Sequence, residues 1–539
     1  MIRQGTGAAA LLAAALAQAG AGGQAHSLRE IPKVPSELLT RPVAMAKGIG
    51  HAHDAIGTKS ASAQAFYDQG LAYLHSYVWI EAARSLNQAL REDPSLAIAH
   101  AQLSLAYTEL NAPSEARAAI DRAAALAAAA GDHDRRHIEA RRLQMIAEAH
   151  PSDSAALTAY RASLDAALKV FPDDPEFWLL RGNAESRDPA DRGQGSVATA
   201  IPFYEHARKV APADDAPLHF LTHAYENSRD LTRSLAFGEQ YAKAAPAVPH
   251  AHHMLGHVLL ERGRVADAAD AFGEADRIER AYLRIEHIPA EYEWHHEHNL
   301  DLLGASYAYL GRMQKAEQAL KEAFNLPTAL AVEAFNKRNY PAFLASRGRF
   351  DEARAAAAAL AAHPSSFARV AGRIEDARAL LAEAPSDLRP AVSAINAALT
   401  EIRASPPAGA LAATPFAMLQ GEYFVRANQR SRGEPMLRQA VQKLRMLTGP
   451  DAHMDTVFAL EALARAMRDA GVWDLAAWVS GQMMEDDPRY AGSHFASALA
   501  LEHAGNASGA RQAFAAAARL WSSADPDLPE LALAVRKLR

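Results

Sequence analysis

Cysteine is absent from the 539 residues, which excludes disulfides, thiolate metal ligands and a lipid anchor on an N-terminal cysteine. Such a chain is held together by packing alone. Aromatic residues are scarce, at 7% against 50% hydrophobic residues overall, and alanine-rich runs make up the difference. That composition suits thin helix-on-helix layers better than a sheet, and no stretch alternates apolar and polar residues as a half-buried strand does. An excess of positive charge is also missing. With a formal net charge of −7, general affinity for phosphate backbones is not expected, so nucleic acid is an unexpected partner. After the first residues no run is apolar and long enough to cross a bilayer, so membrane insertion is not expected either. There is no Gly-x-Ser-x-Gly elbow, phosphate loop or dinucleotide glycine fingerprint, and His296-Glu297-His298 lacks the His-Glu-x-x-His spacing of zinc proteases. No enzyme is read from the chain.

What is present begins with MIRQGTGAAALLAAALAQAGAGGQA, residues 1–25. One basic residue, a short Ala/Leu run and small-residue sites at Ala17-Gln18-Ala19 and Gly23-Gln24-Ala25 have the layout of a secretory signal peptide. The competing reading is an alanine-rich helix of the folded protein, but the following glycines would end it early and no amphipathic face is visible. A periplasmic or secreted location is therefore expected. Residues 26–60 carry Pro32, Pro35 and Pro42 and then Gly48-Ile49-Gly50-His51-Ala52-His53, with little periodicity, which predicts an extended strap. His51 and His53 are candidate ligands on it, although solvated loop histidines are commoner.

From residue 61 a pattern repeats. Phe66, Gly70, Tyr73, Ala82, Leu86, Ala89 and Pro94 mark one unit, and Leu103, Ser104, Tyr107, Ala116, Ile120 and Ala123 stand 34 residues after their counterparts. The organising stretch is His250 to Ala275. There Leu255, Gly256 and Leu259 share one helix face, Gly263 supplies a turn, and Ala268, Phe272 and Ala275 share a face of the next helix. Small residues stand where helices approach closely, and a large one where a gap must be filled. The pattern resembles a tetratricopeptide (TPR) repeat. The resemblance covers nearly all of the chain that follows the expected signal peptide. It implies an all-α fold, a right-handed α-solenoid of TPR helical hairpins with inserted helices and loops.

The expected organisation is a TPR array with insertions over 61–403, a linker over 404–415 (ASPPAGALAATP), and a C-terminal TPR group with a capping helix over 416–539. RDPADRGQGS is an insertion between the two helices of one unit. GDHDRRHIEARRLQMIAEAHP, residues 131–151, reads as an extra helix acting as a structural spacer. His133 and His137 lie one turn apart on it, but Arg135, Arg136, Arg141 and Arg142 surround them and would oppose a cation.

In TPR proteins the first helix of each hairpin lines a concave groove that takes a peptide or protein segment. Carried over by position, the resemblance implies groove contacts at His219, His223, Glu226 and Asn227, then at His250, His253, His257, Leu260 and Glu261, then at His298, Asp301 and Tyr309. The function it implies is an exported scaffold binding a peptide or protein partner. The alternative comes from the histidines themselves, because imidazoles at i and i+4 project the same way and can share an ion. In that reading His219 and His223 face His253 and His257 from the adjacent helix, and His298 and Asp301 approach from a third, as a periplasmic metal-binding or metal-handling site. Imidazoles with one carboxylate suit Zn²⁺ or Cu²⁺ better than Ca²⁺, and no thiolate is present to favour Cu⁺. Groove imidazoles also hydrogen-bond peptides, and one-turn pairs arise by chance in a chain with 23 histidines. The sequence requires no cofactor and admits zinc or copper. Tyr292, Trp294, His295, His296, His298 and Asn299 form the densest aromatic and imidazole run, either a groove wall or filler for a long connection.

Overall fold

The computed structural model describes residues 33–150, 152–185, 197–328, 331–383 and 387–539. The expected signal peptide, the first residues of the strap and the whole RDPADRGQGS insertion lie outside the described residues. Among the described residues the regular elements are helices and none is a strand. Two compact units are present: an N-terminal unit of residues 33–258 and 273–293, and a C-terminal unit of 259–272 and 294–539.

Within each unit the building block is an antiparallel hairpin, and its geometry follows from one glycine. Helix Ala61–His75 lies against helix Trp79–Glu92 so closely that a Cβ on Gly70 would sit 2.7 Å from Leu86 Cγ. The same clash recurs between Gly304 and Leu320 at 2.7 Å and between Gly421 and Leu437 at 2.8 Å. In all three the partners are sixteen positions apart, so the periodicity in the sequence is a repeating contact distance in space. Leu86, Leu320 and Leu437 are buried, as are Ala82, Ala316 and Ala123. The units are therefore TPR-like stacks of hairpins.

The turns are built alike. After the first helix of a hairpin one residue takes a left-handed backbone, and the next N–H reaches back to a carbonyl of the last turn: Val78 to Tyr73 at 3.0 Å, Ala112 to Tyr107 at 2.8 Å, Asp230 to Tyr225 at 2.9 Å, Arg264 to Leu259 at 2.8 Å. Gly263 fills the left-handed position in the organising hairpin at φ 68°, whereas Tyr77 fills it in the first hairpin at φ 60°. A bulky residue at that φ carries a steric cost that glycine does not.

The extra helix expected within 131–151 is present as Asp132–Ala149. The 404–415 linker is a correction. Pro406 and Pro407 open a continuous helix, Pro406–Arg426, inside the C-terminal unit, and no unit boundary falls there. Prolines in the first turn lose no helical hydrogen bond, because those N–H groups have no intrahelical acceptor, and so they start this helix rather than break it.

Over its described residues, from 33 to 60, the strap has a single short helical turn, Ser36–Leu39, and is otherwise irregular or extended. Over its last part burial alternates strictly. Ala52, Asp54 and Ile56 are buried while His51, His53, Ala55 and Gly57 are exposed, the period of an extended chain with one face on a surface. Its backbone is paired to the repeats: Ala247 N–H donates to Gly48 O at 2.7 Å and Asp215 N–H to His51 O at 2.9 Å.

Candidate functional site: a buried cluster of imidazoles

Helix Ala216–Asn227 begins with Pro217 in its first turn and buries nearly every side chain. It carries His219 and His223 one turn apart, with ring centroids 4.8 Å from each other. The next hairpin's first helix, Pro249–Glu261, brings His250 to the same point. All three rings are out of solvent, at 0%, 7% and 5% exposure for His219, His223 and His250.

The hydrogen bonding sets the chemistry. Helix Ala61–His75 ends at His75, whose carbonyl belongs to the last turn and has no helical N–H to accept from. His219 Nδ1 takes up that acceptor at 2.5 Å. A carbonyl only accepts, so Nδ1 carries the proton and the Nε2 of the neutral ring presents a lone pair. That Nε2 lies 2.9 Å from His250 Nε2 and 3.0 Å from His223 Nε2. Three imidazole nitrogens therefore point at one small volume, all within 4.8 Å of one another. Two ligand nitrogens on a tetrahedral zinc are about 3.3 Å apart, given Zn–N bonds of about 2.0–2.1 Å, so both separations from His219 Nε2 lie within a few tenths of an ångström of that spacing.

Aromatic rings wall the cluster. Tyr77 stands edge-on to His219 at 4.6 Å and 5.2 Å from His250, and Tyr241 stacks on His219 at 5.1 Å. The bulky residue held at a left-handed φ is thus the one whose ring touches the cluster. His75 is tied down as well, because its own Nε2 lies 2.8 Å from Glu176 Oε1. Burial alone would lower the His75 pKa, but the Glu176 carboxylate raises it above the ordinary value.

The other expected site residues are placed as follows. On helix Pro249–Glu261 the His253 and His257 rings are 4.3 Å apart, and His257 Nδ1 lies 3.4 Å from Glu226 Oε1. His250, expected as a groove contact but not as a ligand, is the residue that meets His219 and His223, where His253 and His257 were expected. Asn227 turns back, its side chain donating to His223 O at 2.9 Å. Glu261 is half-buried at the end of its helix.

In the C-terminal unit His298 and Asp301 are one turn apart on helix Trp294–Tyr309. Asp301 accepts from Asn339 Nδ2 at 2.8 Å, and burial, with the charge of Asp451, pushes its pKa up to about 7. Tyr309 donates to Asp487 Oδ2 at 2.8 Å and packs on Tyr490, a structural strut. Trp294 packs against His295, and Asn299 donates to Phe272 O at 3.0 Å. Sequence reasoning missed Tyr77 and the His75 carbonyl as parts of the imidazole cluster. Neither carries a spacing signal, since both come from a hairpin distant in the chain.

No protein-family model matches the chain, and no curated protein matches it. Among solved structures it is similar to "Crystal Structure of the Yeast Tom70" at 14% identity, over 89% of this chain and 95% of that one, with a TM-score of 0.32. It is also similar to "Structure of Naa15/Naa10 bound to HypK-THB" at 15% identity, over 88% of this chain and 65% of that one, with a TM-score of 0.25. Likeness at this level assigns neither family nor activity.

Proposed function

We propose that the chain is an exported helical-repeat scaffold that holds a transition-metal ion, Zn²⁺ or Cu²⁺, between His219, His223 and His250. One observation carries this reading. The His219 Nδ1–H is committed to the His75 carbonyl, which leaves its Nε2 lone pair facing two further Nε2 atoms at 2.9 and 3.0 Å. Three imidazoles bind such an ion and leave a fourth position for water or a ligand. The backbone carbonyl that orients the first ring is the usual outer partner of a metal-bound histidine. Burial of the rings also favours an ion over a peptide, which needs an open surface. No reaction is proposed.

The test is the metal content of the purified full-length chain after dialysis against Zn²⁺. One equivalent should be lost on the double change His219→Ala with His223→Ala. Absence of stoichiometric metal, or its unchanged retention in that variant, would sink the reading. Export rests on residues 1–25 and requires a processed chain beginning after Ala19 or Ala25. The second reading, capture of a protein or peptide segment by the repeat surface, is favoured by the TPR-like hairpins alone. It is separated from the first by partner capture that survives chelation.

A further inference from the structure

A second cluster lies in the N-terminal unit, on the helix expected to be only a spacer. His133 and His137 are one turn apart on helix Asp132–Ala149, with ring centroids 4.7 Å from each other. Two carboxylates from elsewhere in the chain meet them. Asp174 comes from the loop before helix Pro175–Asn183, where its other oxygen caps the Phe177 N–H at 3.1 Å. Asp54 comes from the strap, on its buried face. His133 Nε2 lies 2.8 Å from Asp174 Oδ2 and 3.1 Å from Asp54 Oδ1, and His137 Nε2 lies 3.4 Å from Asp174 Oδ2. The four groups each offer one atom within 4.8 Å of the others.

The arginines that seemed to forbid a cation are spent elsewhere. Arg135 and Arg136 pair with Asp132, Arg142 pairs with Glu139, and Arg141 binds Ser104, Thr108 and Glu148. None of these pairs includes the four clustered groups. What faces the imidazoles is negative instead: Asp54, Asp174, and Asp134, whose Oδ1 accepts from His133 Nδ1 at 2.9 Å.

We propose that His133, His137, Asp54 and Asp174 form a second divalent-metal site, of the two-imidazole, two-carboxylate zinc type, and that the ion clasps the strap onto the repeats. The ligand set suits the ion. The interatomic distances of 2.8, 3.1 and 3.4 Å bracket the edge of about 3.3 Å expected for tetrahedral zinc with these ligands. Asp134 supplies the carboxylate that orients a metal-bound histidine through its far nitrogen, and the same Asp134 accepts from the strap's Gly57 N–H at 3.1 Å. His137 is fixed face to face on Phe177 at 3.8 Å, and its remaining ring nitrogen, Nδ1, is buried without a hydrogen-bond partner. A fifth of the His133 side chain is exposed, which gives an ion an entry.

Because Asp54 is the one ligand from the strap, metal and strap are thermodynamically linked. An ion that binds only the closed strap lowers the population of the opened one by a factor of one plus the ratio of free ion to Kd. Lys47 and Lys59, both exposed, offer tryptic sites in the strap that report opening.

The experiment uses the full chain carrying His219→Ala and His223→Ala, so that the first cluster is silent, stripped of metal and titrated with Zn²⁺ and Co²⁺. One equivalent should bind, Co²⁺ should give the intense visible bands of tetrahedral coordination, and cleavage after Lys47 and Lys59 should slow about 100-fold at a hundredfold excess over Kd. Asp54→Asn in the same background, which keeps the shape of the side chain, should weaken binding at least about tenfold and abolish the protection. His137→Gln should likewise weaken binding at least about tenfold and reduce the protection. No bound ion in this background overturns the proposal whatever the fate of the first cluster. So does an ion whose affinity and protection are indifferent to Asp54→Asn.

Discussion

The two clusters of the N-terminal unit start from one device and diverge in what completes it. Each is founded on two histidines one turn apart, with ring centroids 4.8 Å apart for His219 and His223 and 4.7 Å for His133 and His137. The first is completed by a third imidazole, His250, and walled by Tyr77 and Tyr241. The second is completed by carboxylates and anchored to a loop and a strap. The first therefore presents nitrogen donors walled by aromatic rings. The second presents an anionic field in which Asp134, Asp174 and Asp54, against the opposing effect of burial, raise the His133 pKa well above its ordinary value, so an ion that binds there displaces a proton. One-turn spacing creates a half-site, and the neighbours decide its chemistry.

That difference can be broken most sharply by the choice of ion. Nitrogen donors follow the affinity order that places Cu²⁺ above Zn²⁺, and carboxylates blunt it. Cu²⁺ should displace Zn²⁺ from the His219 cluster with a preference on the order of 100-fold, and from the His133 cluster with much less. Electron paramagnetic resonance should show three coupled nitrogens in the chain carrying Asp54→Asn and two in the chain carrying His219→Ala with His223→Ala. Equal nitrogen counts would erase the distinction.

A smaller effect sharpens the role of the wall. Tyr77 stands at φ 60° where an equivalent turn has Asn111 at φ 55°. Tyr77→Asn should relieve about 1 kcal/mol of backbone strain but forfeit about 3 kcal/mol of ring burial, a net loss of about 2 kcal/mol in chemical denaturation. Asn111→Gly should be neutral or slightly stabilising. Were Tyr77→Asn stabilising, the ring would not be what holds the strained turn.

The smallest effect concerns a buried carboxyl met by an amide instead of an imidazole pair, Asp301 in the C-terminal unit. Its folded pKa of about 7 lies above the ordinary 3.8, so the folded chain keeps a proton that the unfolded chain releases. The stability this contributes is complete below about pH 4 and is lost as pH rises through 7. Asp301→Asn, which preserves an acceptor for Asn339, should flatten that decline in urea titrations compared at pH 5 and pH 8. An unaltered decline would assign it to other groups.

The sequence was most legible where the chain repeats. Gly70, Gly304 and Gly421 announce close helix crossings because no other side chain fits beside Leu86, Leu320 and Leu437. The one-turn histidine pairs were visible for the same reason, since helical geometry alone puts i and i+4 together. Misreadings arose where local chemistry has two outcomes. Pro406 and Pro407 open a helix as readily as they end one, and Arg135, Arg136 and Arg142 beside His133 are neutralised by acids on their own helix that also lie three or four residues away.

Periodicity along the chain thus determined the hairpins, their close crossings and the paired imidazoles, because each depends on residues within about one helical repeat of one another. Which third group meets each pair was decided only by tertiary structure. His250 rather than His253 reaches His219 because the rotation of one helix against the next selects among residues on nearly the same face. Asp54 reaches His133 because an extended strap, with no periodicity shared with the repeats, is laid along them by its own alternating burial.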